Sequence, residues 1–251
     1  MHDKTRFRST SWTILRRGEG ITGNRQLNTS DHIVFVIDDD RSVCKSLARL
    51  LGTAGHPTET FGSITNFMSR EFYRGPGCFL LDVCLPEMSG LEATQKLSEA
   101  GYSLPTVFIS GYADVPTSVR AMRGGAVDYL SKPVGVDDLL TAVRAALHKD
   151  RTQRVARAGL EQIRARLASL MPREHEVLLH VVSGQLNKQI AARLGVGLKT
   201  IKAHRARVMQ KMQTRTVADL VRAALKVGMA NADAADGLSS QPTKAQQTRV
   251  G

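Results

Sequence analysis

Asp38, Asp39, Asp82, Ser110 and Lys132 are the residues of this chain whose types could do chemistry together. Clustered carboxylates suit a hard, oxygen-seeking cation, and Mg2+ takes one or two of them along with waters and phosphate oxygens. A further carboxylate beside a hydroxyl and a lysine is equipped to accept a phosphoryl group, because metal and ammonium neutralise the equatorial oxygens of the transition state. On that reading the clustered acids draw a magnesium ion and Asp82 is the nucleophile.

Each of these residues stands where an apolar run stops. Ile33-Val34-Phe35-Val36-Ile37 ends in Asp38-Asp39-Asp40, three acids that need a counter-charge. Cys78-Phe79-Leu80-Leu81, apolar on both faces, ends in Asp82; Leu85-Pro86 stops the run and Gly90 opens the way to a helix. Thr106 to Ile109 ends in Ser110, and Ala126 to Leu130 ends in Ser131-Lys132-Pro133. Between these runs the spacing is helical. Val43, Leu47, Leu50 and Leu51 share a face closed by Gly52 and Gly55, before a strand from Thr58 to Phe61. Ser63 caps a helix reaching about Tyr73, Gly75-Pro76-Gly77 breaks the chain, a helix spans about Leu91 to Ala100, and Pro116 starts another that Gly124-Gly125 stops. Asp137 and Asp138 occupy the first turn of a closing helix, where the dipole favours them.

Alternating strands and helices over residues 31–148 predict the α/β class, a doubly wound five-stranded parallel sheet. All the chemical candidates then gather at its carboxyl edge, where such sheets bind ligands.

Charge divides the chain. Residues 31–148 carry 10 Lys and Arg against 14 Asp and Glu, whereas residues 149–251 carry 19 against 7. A basic second half points to a polyanionic partner. No apolar run approaches the roughly 18 residues a membrane span needs, which predicts a cytoplasmic protein without membrane contact. Cys44, Cys78 and Cys84 form no C-x-x-C pair and read as reduced packing residues in apolar surroundings. Residues 1–30 and 231–251 lack periodicity and read as mobile ends.

Residues 149–167 keep helical composition and read as a partly solvated helical linker, and residues 168–230 as a small all-α domain. Within it, helical segments run over Pro172–Ser183, Lys188–Leu194, Leu198–Met212 and Val217–Leu225, and the second and third, joined by Gly195-Val196-Gly197, have the arrangement of a helix-turn-helix. Ile201, His204, Val208 and Met212 share the core stripe of the third segment. The opposite stripe is Lys199, Ala203, Ala206 and Gln210, flanked by Lys202 and Arg207. Alanines let the helix backbone approach base edges while the cations reach phosphates or guanine acceptors. Duplex DNA is preferred over single strands because no Phe, Tyr or Trp follows Tyr129 to stack on unpaired bases. His175 and His180 are five apart, so they do not make a zinc-hydrolase pair, which needs a spacing of four.

The runs IDDD at 37–40, LLDVCLPEMSG at 80–90, ISGYAD at 109–114 and AVDYLSKP at 126–133 resemble a response-regulator receiver domain of flavodoxin-like fold. The resemblance implies that Asp82 takes phosphate from a sensor histidine kinase. It implies that Asp39, Asp82 and the backbone carbonyl of Cys84 bind Mg2+, with Asp38 helping through water. Lys132 then contacts the phosphoryl group, Ser110 and Tyr129 move together as a switch, and a strained bond precedes Pro133. A second resemblance is narrower: Asp38-x-Asp40-x-Ser42 is similar to the nucleophile loop of haloacid-dehalogenase-like phosphatases, a scheme that leaves Asp82 idle.

Residues 171–212 resemble the LuxR/FixJ-type DNA-binding domain through Pro172-Arg173-Glu174, Gly184, Asn187 to Ala191 and Thr200-Ile201-Lys202. That implies backbone contacts from Lys188, Lys199 and Thr200, with Lys202, Ala203 and Ala206 facing bases. Three positions depart from the pattern: Met171 in place of a Thr or Ser cap, Gly197 in place of Ser, and Gln213 in place of Gly. Together the two resemblances imply a two-component transcriptional regulator. It is not an enzyme beyond its own phosphorylation and slow dephosphorylation, it pairs as a homodimer when phosphorylated, and promoter DNA and RNA polymerase are its expected partners.

Overall fold

The computed structural model describes residues 32–111 and 115–229. The expected mobile ends lie outside the described residues. Five strands alternate with five helices in the first part of the chain: β1 (Ile33–Ile37), α1 (Arg41–Thr53), β2 (Thr58–Phe61), α2 (Ile64–Met68), β3 (Gly77–Asp82), α3 (Gly90–Glu99), β4 (Thr106–Ser110), α4 (Val115–Arg123), β5 (Asp128–Ser131) and α5 (Val136–Ala168). The sheet is all parallel with order β2-β1-β3-β4-β5.

The period of two along each strand splits the core into two layers. Val34, Val36, Cys78, Leu80, Val107 and Ile109 face α1 and α5, while Phe35, Ile37, Phe79, Leu81 and Phe108 face α2, α3 and α4. Burial of both faces is why β3 reads as an unbroken apolar run. Connections leave β1 to one side and β3 to the other, so the crevice at their carboxyl ends is the point where strand order reverses.

Helix starts follow their caps. Asp40 accepts from the Ser42 and Val43 amides at α1, Ser63 from Asn66 at α2, and Ser89 forms a capping box with Glu92 at α3. The helix expected from Ser63 to about Tyr73 stops at Met68. Its second half is diverted by aromatic packing: the Arg70 guanidinium lies 4.9 Å from the Phe35 ring centroid, and Tyr73 packs edge-on to Phe35 at 5.1 Å. Gly52 lies inside α1 instead of closing it. Cys84, expected in apolar surroundings, is exposed, because the chain has already left the sheet for the β3–α3 loop; Cys44 and Cys78 are buried as expected. Burial pushes the Cys78 thiol up to about 12, so it is an inert packing group.

α5 runs unbroken from the sheet through the linker. Its last turns contribute Ile163 and Leu167 to a second core, made with α6 (Pro172–Val182), α7 (Asn187–Leu194), α8 (Leu198–Lys211) and α9 (Val217–Lys226). Val177, Leu178, Val181, Ile190, Ile201, Val208, Met212 and Leu220 are its buried centre. No helix among the described residues is long and apolar enough to cross a membrane.

Candidate functional site

β1, β3, β4 and β5 deliver the chemical residues to one edge. Asp38 follows β1, Asp82 closes β3, Ser110 closes β4, and Lys132 follows β5. The register places Asp82 opposite Ile109 and Ser110 opposite Ser131, and the Lys132 amide donates to the Ser110 carbonyl at 2.7 Å. Lys132 is thereby brought round to face the acids. Its ammonium donates to Asp38 Oδ2 at 2.6 Å and to Asp82 Oδ2 at 2.9 Å. Both acids are buried, with side chains 2% and 6% exposed, while the lysine side chain is 23% exposed. Burial alone would pull the lysine down, but the hydrogen bonds to Asp38 and Asp82 outweigh it and hold its pKa above the ordinary value.

The remaining carboxylate oxygens are oriented by backbone. The Asp40 amide donates to Asp38 Oδ1 at 2.9 Å and the Cys84 amide to Asp82 Oδ1 at 3.2 Å. Asp39 is exposed beside them, and one oxygen from each of Asp38, Asp39 and Asp82 lies within 4.8 Å of the other two. Three formal negative charges against one ammonium leave a local excess of two. An all-oxygen donor set carrying that excess fits a hard divalent cation and not a thiophilic one.

The other residues singled out lie nearby in different settings. Cys84 occupies the loop two residues beyond Asp82, where its side chain is exposed and its backbone pairs with Ser89. Ser110 is buried at the end of β4. Tyr129 is half-buried on β5, opposite Phe108 in register and against the layer that holds α4. The Lys132–Pro133 peptide is cis.

At the other end of the chain, Ile201 and Val208 of α8 are buried together with Met212, and His204 is half-buried on the same side. Lys199, Thr200, Lys202, Ala203, Ala206, Arg207 and Gln210 are exposed on the outer side, as is Lys188 on α7. The turn between α7 and α8 uses Gly195 at φ 66, a left-handed conformation that costs glycine little. Arg205 donates to Asn187 Oδ1 at 2.8 Å, tying α8 to the start of α7. Met171 makes no side-chain cap on α6, as its chemistry dictates, yet the helix start is not left bare. Glu174 accepts from the Met171 amide at 2.9 Å and from Lys211 at 2.6 Å. The sequence reading missed this compensation because Lys211 is remote in the chain.

A doubly wound sheet with an acid crevice and a lysine, followed by a helix-turn-helix, is the architecture of a regulator that joins a receiver to a DNA-binding domain. The response regulator receiver family matches residues 34–144, and the bacterial regulatory proteins of the luxR family match residues 168–224. This chain belongs to the response regulators with a receiver domain and a LuxR-type DNA-binding domain. It is 40% identical over 213 residues to Nodulation protein W of Bradyrhizobium diazoefficiens, covering 85% of this chain and 92% of that protein. Transcriptional regulatory protein FixJ of Azorhizobium caulinodans is 38% identical over 200 residues, covering 80% and 95%. Among solved structures, the response regulator StyR aligns with a TM-score of 0.70 at 38% identity over 78% of this chain and all of that one. The chain is therefore a transcriptional regulator.

Proposed function

We propose that Asp82 accepts a phosphoryl group from a sensor histidine kinase, with Mg2+ as cofactor, and that the phosphorylated chain pairs to regulate promoters through α8. The observation that carries this reading is the Lys132 ammonium shared between Asp38 and Asp82 at the switch point of the sheet. An Asp82 oxygen forms the new P–O bond as the donor's P–N bond breaks, and the departing imidazole takes up a proton. Lys132 then pairs with the phosphoryl oxygens. Asp39, Asp82 and the Cys84 carbonyl would hold Mg2+, which supplies charge neutralisation at those oxygens, and Asp38 would assist through water.

Ser110 and Tyr129 serve as the switch: the hydroxyl turns toward the phosphoryl group and the ring follows into the space it leaves. Val115, Val119 and Met122 are exposed along α4 at spacings of four and three, an apolar stripe suited to pairing two phosphorylated copies. Lys188, Lys199 and Thr200 hold the DNA backbone, while Lys202, Ala203, Ala206 and Arg207 line the groove. On this reading residues 31–148 receive the signal, 149–167 link, and 168–230 bind DNA in the cytoplasm, where RNA polymerase is the next partner.

Incubation of the full chain with acetyl phosphate and Mg2+, followed by phosphate-affinity electrophoresis, should show a retarded species that Asp82→Asn abolishes. Equal modification of Asp82→Asn and wild type would overturn the assignment. Genome-wide footprinting with and without beryllofluoride then identifies the target promoters and the direction of control. The exposure of the DNA face of α8 favours a second reading, in which each copy binds DNA without phosphate and the first domain only provides a dimer platform. Footprints unchanged by beryllofluoride would select it.

A further inference from the structure

The root of the linker helix is fastened to the loops that lead into three successive strands. Lys149 Nζ donates to the Gly125 carbonyl, ahead of β5, at 2.8 Å. Arg157 donates to Ser103 Oγ, ahead of β4. Ahead of β3 the attachment is denser: Arg154 donates to the Arg74 carbonyl at 2.9 Å and to the Gly75 carbonyl, and its Nε donates to Asp150 Oδ2 at 2.7 Å. The same Asp150 oxygen accepts the Gly77 amide, the first residue of β3, at 3.1 Å. Asp150 is only 3% exposed. A carboxylate is costly to bury unless its charge is paired and hydrogen-bonded, and here one oxygen receives both the guanidinium and the strand's first amide.

The other ends of these strands are the chemical ones. β3 runs from Gly77 to Asp82, β4 ends at Ser110, and β5 leads to Lys132. An α-helix and a buried strand are both stiff, so a contact fixed at each end transmits displacement instead of absorbing it.

We infer that Asp150 and Arg154 are positioning residues that clamp the linker helix to β3, so that the strand bearing Asp82 and the helix bearing the DNA-binding domain move as one body. The clamp touches neither phosphate nor DNA. It sets the direction in which α5 leaves the sheet, and so the separation at which two paired copies present their α8 helices to DNA half-sites. The inference rests on Asp82 being the phosphoacceptor.

The test compares the full-length wild type and Arg154→Ala on a footprinted genomic DNA fragment, with and without beryllofluoride, alongside acetyl-phosphate labelling of both. Unlabelled wild type would overturn the phosphoacceptor reading itself. With wild type labelled and stimulated, the clamp predicts that Arg154→Ala is labelled at the wild-type rate while its ratio of DNA affinities with and without beryllofluoride falls toward one. An unchanged ratio overturns the clamp. Arg154→Lys should fail to restore the ratio, because an ammonium cannot bridge a carboxylate and two carbonyls as the planar fork does. Rescue by lysine would reduce the contact to simple charge balance and overturn the inference as well. Should Arg154→Ala not fold, hydrogen exchange on the wild type decides. Beryllofluoride should change protection of the Gly77 amide and of the amides around 150–157 together, and a response confined to one of the two segments overturns the clamp.

Discussion

Gly90 stands so close to Asp82 that a Cβ placed on it would lie 2.6 Å from the Asp82 carbonyl oxygen and 3.0 Å from the Val83 Cα. The first residue of α3 thus abuts the backbone that presents Asp82. Neither neighbouring atom belongs to a flexible side chain, so Gly90→Ala must push the end of β3 away. The expected cost is about 1–3 kcal/mol in the receiver's urea transition, with slower labelling by acetyl phosphate. An unchanged transition would show that the contact relaxes freely.

Lys132→Met leaves Asp38 and Asp82 facing one another without their shared cation. The receiver should lose on the order of 3 kcal/mol at neutral pH, and Mg2+ should restore part of it. The pH dependence has a definite sign. The folded pKa of Lys132 lies above its ordinary value, so its contribution is complete below about pH 10.4 and is lost as pH rises through the folded value. Wild-type stability should therefore fall in alkali more steeply than that of Lys132→Met. Parallel profiles by circular dichroism would contradict this.

Gln213 follows the Met212 C-cap of α8 at φ 53, a left-handed position that favours glycine. An L-residue there is strained by about 1–2 kcal/mol, of which glycine's extra backbone entropy returns part. Gln213→Gly should stabilise the DNA-binding domain by about 0.5–1 kcal/mol, measured by thermal unfolding.

Glu174 is buried between α6 and α8, and the Lys211 ammonium, then the Met171 amide, hold its carboxyl below the usual glutamate range. A depressed carboxylate stabilises the fold above its unfolded pKa and loses that contribution as pH falls through the folded one. The DNA-binding domain should weaken progressively below about pH 4.3, and Glu174→Gln should flatten that limb of the profile.

Lys199→Ala should weaken binding to all DNA sequences alike and reduce the slope of log affinity against log salt by about one. Lys202→Ala should instead cost about 1–3 kcal/mol mainly on the cognate site, relaxing its specificity. Fluorescence anisotropy over a salt series separates the two. A uniform loss from Lys202→Ala would move that residue to the backbone.

The sheet was legible because both-sided burial makes a parallel strand an unbroken apolar run, as in Cys78 to Leu81, and because each run stopped at a residue with chemistry. Periodicity also placed Ile201 and Val208 inward and Lys199, Lys202, Ala203 and Ala206 outward, since helical geometry alone decides a stripe. The end of α2 was misjudged because Arg70 and Tyr73 answer to Phe35, more than thirty residues earlier in the chain.

By itself the sequence determined the alternation of strands and helices, the residues that end each strand, and the basic face of α8, because these depend on neighbours within a few positions. Only the tertiary structure decided that Lys132 bridges Asp38 and Asp82, that Lys211 completes the start of α6, and that Asp150 fastens the linker to Gly77 and Arg154 to the Arg74 and Gly75 carbonyls. Each of those contacts joins groups tens of residues apart. A buried charge takes whichever partner the packed fold brings within reach, and no local pattern encodes that choice.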